Sequence, residues 1–327
     1  MITIPLTAVD AVRITIVMDN VTDPLLFPTQ HVERTTWFHQ LAKPRAASAV
    51  TEDGLPDALI AQPGFSALVR VTSAGRERTI LFDAGVTPNG VIENMRRLEI
   101  LPGEIETIVL SHGHWDHVAG MEGIAREVGR GNLPVLIHPE FWRRRRIAIP
   151  GLDPAELPAT SRSALEGAGF EIVEEQQPSF LLDGSVLVTG EVDRTTPFET
   201  GFKGHEAEVH GSWEPDPLIL DDQAIVMRLA GRGLVVLTGC GHAGIVNVVR
   251  HAQVLTGETA IAAVIGGFHL SGPMFEPIIE PTVAAFDDLQ PELLMPAHCT
   301  GWKAVHRLAA RFPDAFVQSA VGTTITL

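Results

Sequence analysis

The stretch SHGHWDH, residues 111–117, puts three histidines and an aspartate into six positions directly after the apolar run IETIVL. In extended backbone, residues two apart project to the same side, so His112 and His114 can present their imidazoles to one ion, with Gly113 leaving the gap between them unobstructed. A tight bend into the helical segment that begins near VAGMEG then aims Asp116 and His117 at the same cavity. Imidazole and carboxylate together suit zinc, iron or manganese. The motif therefore supplies ligands for two neighbouring divalent ions, and His242 and His298, arriving from later strands, can complete both sets while an open position is kept for water. A lone buried histidine is more often a hydrogen-bonded core residue than a ligand, and 13 histidines guarantee some of that kind. Such accidents do not account for HxHxDH in a strand-turn-helix context.

Other strand ends repeat the pattern. TGCGH, GGFH and PAHC each place a histidine at or just beyond the C-terminal end of an apolar run, the edge where open α/β sheets collect their sites. His269, in GGFHL, ends such a strand outside the main ligand motif and reads either as a substrate-facing proton donor or as a core histidine. The chain has no tyrosine, so a developing oxyanion must be met by metals, by His269 or by backbone N–H groups. Gly-rich strand ends such as TGCGHAG and IGGFH permit that close backbone approach.

The elements that must position these residues alternate along the chain. ITIVMDN, SALVRVT, TILFDAG, TIVLSHG and VLIHPE read as short strands, with GVIENMRRLEI and VAGMEGIAREVG as helices between them. The second half repeats the theme with strands SVLVTGE, AIVMRLA, LVVLTGCGH, AAVIGGFHL and LLMPAHCTG, and helices IVNVVRHAQVLT and WKAVHRLAARF. A layered α/β protein of 327 residues can share one core across two similar halves, so a single domain over 1–327 is expected. Lid or insert loops are expected near 28–62 and 193–217.

Composition narrows the function. A formal net charge of −16 repels phosphate backbones and anionic membranes, which argues against nucleic-acid and membrane partners and for a small-molecule substrate. No apolar segment approaches the roughly 20 residues of a membrane helix, and the N-terminal stretch lacks the basic start and apolar core of a signal peptide. A cytoplasmic protein is the expectation, with Cys240 and Cys299 as reduced thiols.

Several features receive plainer readings. HEAEVH, residues 205–210, has histidines five apart rather than four in a Gly- and Pro-flanked loop, which speaks against an HExxH metal helix. Arg143 to Arg146 read as a solvated helix face ahead of an anion site. His138 and Pro139 end a strand and serve either the site or a turn. Cys299, next to His298 on an extended chain, points away from the metals and packs.

SHGHWDHVAG resembles the HxHxDH signature of the metallo-β-lactamase superfamily, and LFDAG before it and TGCGHAGIVN, GGFHL and PAHCTG after it extend the resemblance through most of the chain. The combination is similar to the branch of dihydropterin or ribofuranosylaminobenzene-phosphate synthase-like proteins. The resemblance implies an αββα sandwich, two mixed sheets packed face to face with helices outside. It implies that His112, His114, Asp116 and His117 form the first ligand motif and that His298 is the last ligand. Two departures stand out. The strand end LVTGEVDR offers Glu191 where many members carry a ligand histidine, and the usual bridging aspartate falls near Cys240. Thr238, Cys240 and His242 share a face of an extended strand, so His242 is the first choice to substitute, Cys240 the second, with a buried inert thiol as the plain alternative.

The expected function is a metal-dependent hydrolase of a small organic ester, lactone or phosphoester, with two divalent ions, zinc first and iron or manganese as alternatives, and a metal-bound hydroxide as nucleophile. Asp116 would ligate and orient that hydroxide, and His269 would act as general acid. The alternative is a non-hydrolytic synthase or transferase acting on a phosphorylated or pterin-like substrate. A binding protein that has kept its metals without turnover is a third class, against which the full ligand set argues.

Overall fold

The computed structural model describes residue 3, residues 5–129 and residues 131–327. Two large mixed sheets dominate it. The first runs in the order Phe170–Glu174, Leu133–Ile137, Thr107–Val109, Arg76–Phe82, Ser66–Ser73, Ala11–Met18, Thr324–Thr326 and Val32–Glu33. The second runs Ser179–Leu181, Val186–Val188, Ala224–Leu229, Gly233–Thr238, Ile261–Gly267 and Leu294–Ala297, with Ala8–Val9 paired to Ala224–Leu229.

Each sheet changes from antiparallel to parallel where a helix enters the connection. Ser66–Ser73 and Arg76–Phe82 form a hairpin, whereas Arg76–Phe82 pairs in parallel with Thr107–Val109 across the helix Gly90–Arg97. Parallel neighbours need such a crossover, because their ends lie at opposite edges of the sheet. In the second sheet the helices Ile245–Thr256 and Ile279–Leu289 play this part for the parallel run Gly233–Thr238, Ile261–Gly267 and Leu294–Ala297.

Strands that are covered on both faces must be apolar at almost every position, and VLIHPE, LVVLTG and AAVIGG read that way. Three cores result. Ile14, Val69, Phe82 and Val109 meet Val186, Ile225, Val235 and Met295 between the sheets. Outside the first sheet, Leu81 and Ile108 pack against Met95 and Ile124 of the helices. Outside the second, Val236 and Val264 pack against Val249, Phe286 and Leu308. The fold is the αββα sandwich. Because five of the parallel strands run in the same sense within their sheets, Asp83, Ser111–His112, Cys240, His269 and His298 all follow strand C-terminal ends.

A small four-stranded antiparallel sheet is added at that edge, in the order Ser212–Pro215, His205–Val209, Arg145–Ile147 and Ala155–Glu156. The sequence reading missed it twice. HEAEVH is a strand, not a loop, and Arg145–Ile147 is its antiparallel partner, not a solvated helix face. The four arginines are all engaged: Arg143 with Glu140, Arg144 with Glu156 and Glu208, and Arg146 with Glu206. Arg145 is buried at 2% exposure and grips both oxygens of buried Asp221, Nη2 to Oδ1 at 2.6 Å and Nη1 to Oδ2 at 3.0 Å. Asp221 Oδ2 also accepts the Gly113 N–H at 2.8 Å, so the added sheet holds the backbone between His112 and His114. A Cβ on Gly113 would stand 2.2 Å from the Phe141 carbonyl oxygen, which is why only glycine fits there. Among the described residues, no helix is long and apolar enough to cross a membrane.

Removing one partner of a buried, hydrogen-bonded ion pair leaves the other charge without compensation, at a cost of about 3–5 kcal/mol. Arg145→Met should therefore lower the urea midpoint of unfolding strongly, and adding Asp221→Leu should recover part of the loss. An unchanged midpoint in the single variant would show that the pair does not brace the fold.

Candidate metal centre

The strand Thr107–Val109 stops where the buried residues Ser111 and His112 begin, and the motif finishes in a single 3-10 turn, Trp115–His117. The change from extended chain to turn divides the motif into two sets. His112 and His114, from the extended part, join His242. Asp116 and His117, from the turn, join Cys240 and His298. In each set the side-chain donor atoms lie within 4.8 Å of one another. The sets abut, with the His112 and His117 rings 4.3 Å apart.

In the first set, His112 Nε2 and His114 Nδ1 are 3.0 Å apart. The His242 ring stands edge-on to both, with centroids at 4.8 and 4.9 Å, and neither of its buried nitrogens has a hydrogen-bond partner. Burial holds all three imidazoles well below the usual histidine range, reinforced next by neighbouring histidines at His112 and His242 and by Arg145, then His205, at His114. They are neutral at ordinary pH, the form that binds metal.

The second set has the opposite electrostatics. His117 Nε2 is 3.2 Å from Cys240 Sγ and 3.7 Å from Asp116 Oδ2, which is itself 3.3 Å from His298 Nε2. Burial pulls the His117 pKa down, but the carboxylates of Asp116 and Asp83 more than offset it and raise it to about 9. Burial pushes Asp116 up, and His117 and His298 outweigh that, holding it well below the carboxylate range. This is a place made for positive charge.

The outward face of each ring decides which nitrogen carries the proton. Ser111 Oγ donates to Asp83 Oδ2 at 2.8 Å and so accepts from His112 Nδ1 at 2.9 Å, leaving His112 Nε2 as a lone pair. His205 Nδ1 donates to the Asp216 carbonyl at 3.0 Å, so its Nε2 accepts from His114 Nε2 at 3.0 Å, leaving His114 Nδ1 bare. His117 Nδ1 donates to Asp83 Oδ2 at 2.6 Å, and His298 Nδ1 to Asn20 Oδ1 at 3.1 Å. Ligating histidines are ordinarily tied in this way through the other ring nitrogen. Three lone pairs thus face inward, on His112, His114 and His298, beside the unpartnered His242, and His117 Nε2 offers a fourth once a cation displaces the second proton that Asp116 and Asp83 hold on that ring. Zn–N bonds of about 2.0–2.1 Å in tetrahedral geometry put ligand atoms about 3.3 Å apart, close to the contacts of 3.0 to 3.7 Å found here. The donor sets fit two divalent ions.

Cys240 and His242 do not compete for one position. The strand ends at Thr238, and Gly241 takes a left-handed φ of 68°, so the extended alternation that would align the two side chains is broken. Cys240 falls in the second set and His242 in the first. Burial, reinforced by Cys299, raises the Cys240 thiol. Cys299 corrects the expectation of remote packing: with His298 at φ 50° the chain is not extended, and Cys240, His269 and Cys299 have their donor atoms within 4.8 Å of one another. Glu191 belongs to neither set and accepts from Gln176 Nε2 at 2.7 Å. His138 Nδ1 accepts the Glu140 N–H at 3.1 Å, so it caps the turn that follows its strand. His269 lies at the same edge, its ring 4.1 Å from His242, its Nδ1 buried without a partner and its backbone left-handed at φ 47°.

The sequence reading missed the residues that orient these rings. Asp83 accepts from the Ser111 N–H at 2.7 Å as well as from Ser111 Oγ and His117, and so holds the second set directly and the first through Ser111. Buried Asp19 accepts the His298 N–H at 2.9 Å and the Ser319 hydroxyl at 2.5 Å. Asp222 accepts the Ala243 N–H at 2.9 Å and steadies the turn that carries Cys240 and His242, and burial pushes its pKa up to about 6. Asp19 and Asp83 follow strand ends in MDN and FDAG, so the edge rule that picked out the histidines would have found them. His205 and Asp216 gave no such signal.

Residues 60–298 match the model of the metallo-beta-lactamase superfamily. A Methanocaldococcus jannaschii protein named 7,8-dihydropterin-6-methyl-4-(beta-D-ribofuranosyl)-aminobenzene-5'-phosphate synthase is 30% identical over 268 residues, covering 81% of this chain and 90% of its own length. An uncharacterized protein of the same organism is 33% identical over 267 residues, covering 81% of this chain and 93% of its own. Among solved structures, a metal-dependent hydrolase of the beta-lactamase superfamily superposes with a TM-score of 0.69 at 23% identity, over 97% of this chain and 98% of that one, a likeness of fold. The chain belongs to the metallo-beta-lactamase superfamily.

Proposed function

We propose that the protein is a metal-dependent hydrolase of a small organic ester, lactone or phosphoester, with His112, His114 and His242 holding one divalent ion and Asp116, His117, Cys240 and His298 holding a second. The observation that carries this reading is the 3.0 Å approach of His112 Nε2 to His114 Nδ1, two buried lone pairs kept face to face by Ser111 and His205. Ions bound there, zinc ahead of iron or manganese, would polarise a substrate oxygen and lower the pKa of a water toward about 7.

The chain's own groups do the rest. Asp116 stays ionised, and its side chain is 18% exposed, so its second oxygen can accept a hydrogen bond from an attacking water and fix its direction. His269 stands beside the first set with an unpartnered Nδ1, where it can hold a proton for the leaving group. Left-handed backbone at a non-glycine residue costs energy and recurs at sites whose geometry is over-determined by function. Both His269 and His298 carry it. The substrate is a small molecule, and an acidic surface with no membrane-spanning helix among the described residues favours a cytoplasmic setting without nucleic-acid or membrane partners.

A second reading has one observation in its favour. The 30% identical relative is named a synthase, so the same site could serve a non-hydrolytic synthase or transferase working on a phosphorylated or pterin-like substrate. A screen of esters, lactones and phosphodiesters set beside a pterin and a ribosyl phosphate separates the two, since only a hydrolase turns over the first group in water alone.

Elemental analysis of the purified protein should find about two divalent ions per chain, and the double variant His112→Ala, His114→Ala about one. Native protein free of transition metal would overturn the reading. Asp116→Asn should depress turnover severely, and a chelator should abolish it reversibly; activity that persists after complete metal removal would sink the mechanism. His269→Gln should reduce kcat about 100-fold or more on substrates with poor leaving groups, and much less on activated ones, at constant metal content. Loss of metal would make His269 a ligand, and a lower Tm with unchanged kcat would make it a core residue.

A further inference from the structure

Beside the three-histidine set opens a cavity of about 250 Å³, lined by His242 and His269 and by Phe198, Met274, Phe275 and Lys203. Ligand clefts commonly measure about 300–1,000 Å³, so this one has room for a single ring system and not for a long chain. Its walls suit such a ring. Phe275 stands edge-on to His269 with centroids 4.4 Å apart, and Phe202 backs both, at 5.4 Å from Phe275 and 6.3 Å from His269. Met274, 42% exposed, adds a soft and adaptable surface.

The charged groups on the walls differ in what they have left to offer. Glu199 is committed to the fold: its oxygens accept the Val246 and Asn247 N–H groups at 2.9 and 2.8 Å, at the start of the helix Ile245–Thr256, and the Thr196 hydroxyl at 3.0 Å. Lys203 is not committed. The chain has three lysines; Lys43 is paired with Glu99 and Lys303 with Glu276, whereas Lys203 has no ion pair or hydrogen bond among the described residues. In a protein of net charge −16 the long-range field repels an anion, so an anionic substrate needs a local cation to hold it.

We infer that this cavity is the recognition subsite for an aromatic anion, with the ring seated against Phe198, Met274 and Phe275 and a carboxylate or phosphate group at the Lys203 ammonium, which brings the reacting group to the histidine sets. The inference rests on the hydrolase reading for its orientation toward the site. Lys203 is a binding residue that sets specificity.

The test uses metal-loaded enzyme and three aryl acetates whose para substituent is carboxymethyl, phosphonomethyl or hydroxyethyl, the methylene insulating the leaving phenol from the charge. A charge-assisted hydrogen bond contributes about 1.5–3 kcal/mol, so Lys203→Met should cut the preference for the anionic substrates over the neutral one by about tenfold or more, through KM, with metal content retained. Lys203→Arg should keep most of the preference. The carboxymethyl and phosphonomethyl arms show which anion is favoured. An unchanged preference in Lys203→Met overturns the inference. Calorimetric binding of the three phenol products to the same proteins gives a second readout that needs no turnover. If none of the acetates is hydrolysed, the hydrolase reading fails for esters, and selective weakening of the anionic phenols in Lys203→Met still supports the subsite, while equal weakening of all three removes it.

Discussion

Two imidazole nitrogens buried 3.0 Å apart with their lone pairs toward each other repel, and the structure around His112 and His114 is arranged so that neither ring can escape. Protonation would relieve the repulsion, but burial and the neighbouring histidines oppose a charge at either ring. Turning a ring over would also relieve it, at the loss of the bond to Ser111 or to His205. The remaining remedy is a cation between them. Asp83 sits at the centre of this constraint, because one carboxylate fixes Ser111, and through it His112, and also receives the His117 proton.

The two donor sets are not equivalent. Three neutral imidazoles form the first, while the second adds a carboxylate and a thiol to two imidazoles. A thiolate at Cys240 would bias the second position toward softer ions such as zinc, and the carboxylates of Asp116 and Asp83 make that position the more attractive to positive charge. The turn at Trp115–His117 creates this asymmetry, since it separates a pair two residues apart on extended chain from a pair that is adjacent on a bend.

The added sheet ties the site to the cavity beside it. One of its strands carries Arg145, which holds Asp221 and thereby the Gly113 N–H, and its neighbour begins with His205, which orients His114. The same segment carries Phe202 and Lys203, separated from His205 by Gly204 alone. Ring orientation at the first donor set and the wall of the cavity therefore depend on one short stretch of chain, and a substitution there reaches both.

The layered fold was legible in the sequence because buried parallel strands need unbroken apolar runs and amphipathic helices need their own period, and both signals are local. The short strand Thr324–Thr326 was not, since its place in the first sheet depends on antiparallel pairing with Ala11–Met18, more than 300 residues away. At the site, HxHxDH and the histidines at strand ends were readable because ligand chemistry demands particular residue types at the edge where parallel strands finish. The sequence by itself determined which residues could serve as donors. Only the tertiary structure decided how they divide: left-handed backbone at Gly241 and His298 sends Cys240, His242 and Cys299 in directions that extended-chain alternation does not foresee. It also decided the protons, because the acceptors that fix each imidazole, Asp83, Asn20 and the His205–Asp216 pair, come from segments far from the motif and meet it only once the sheets have packed.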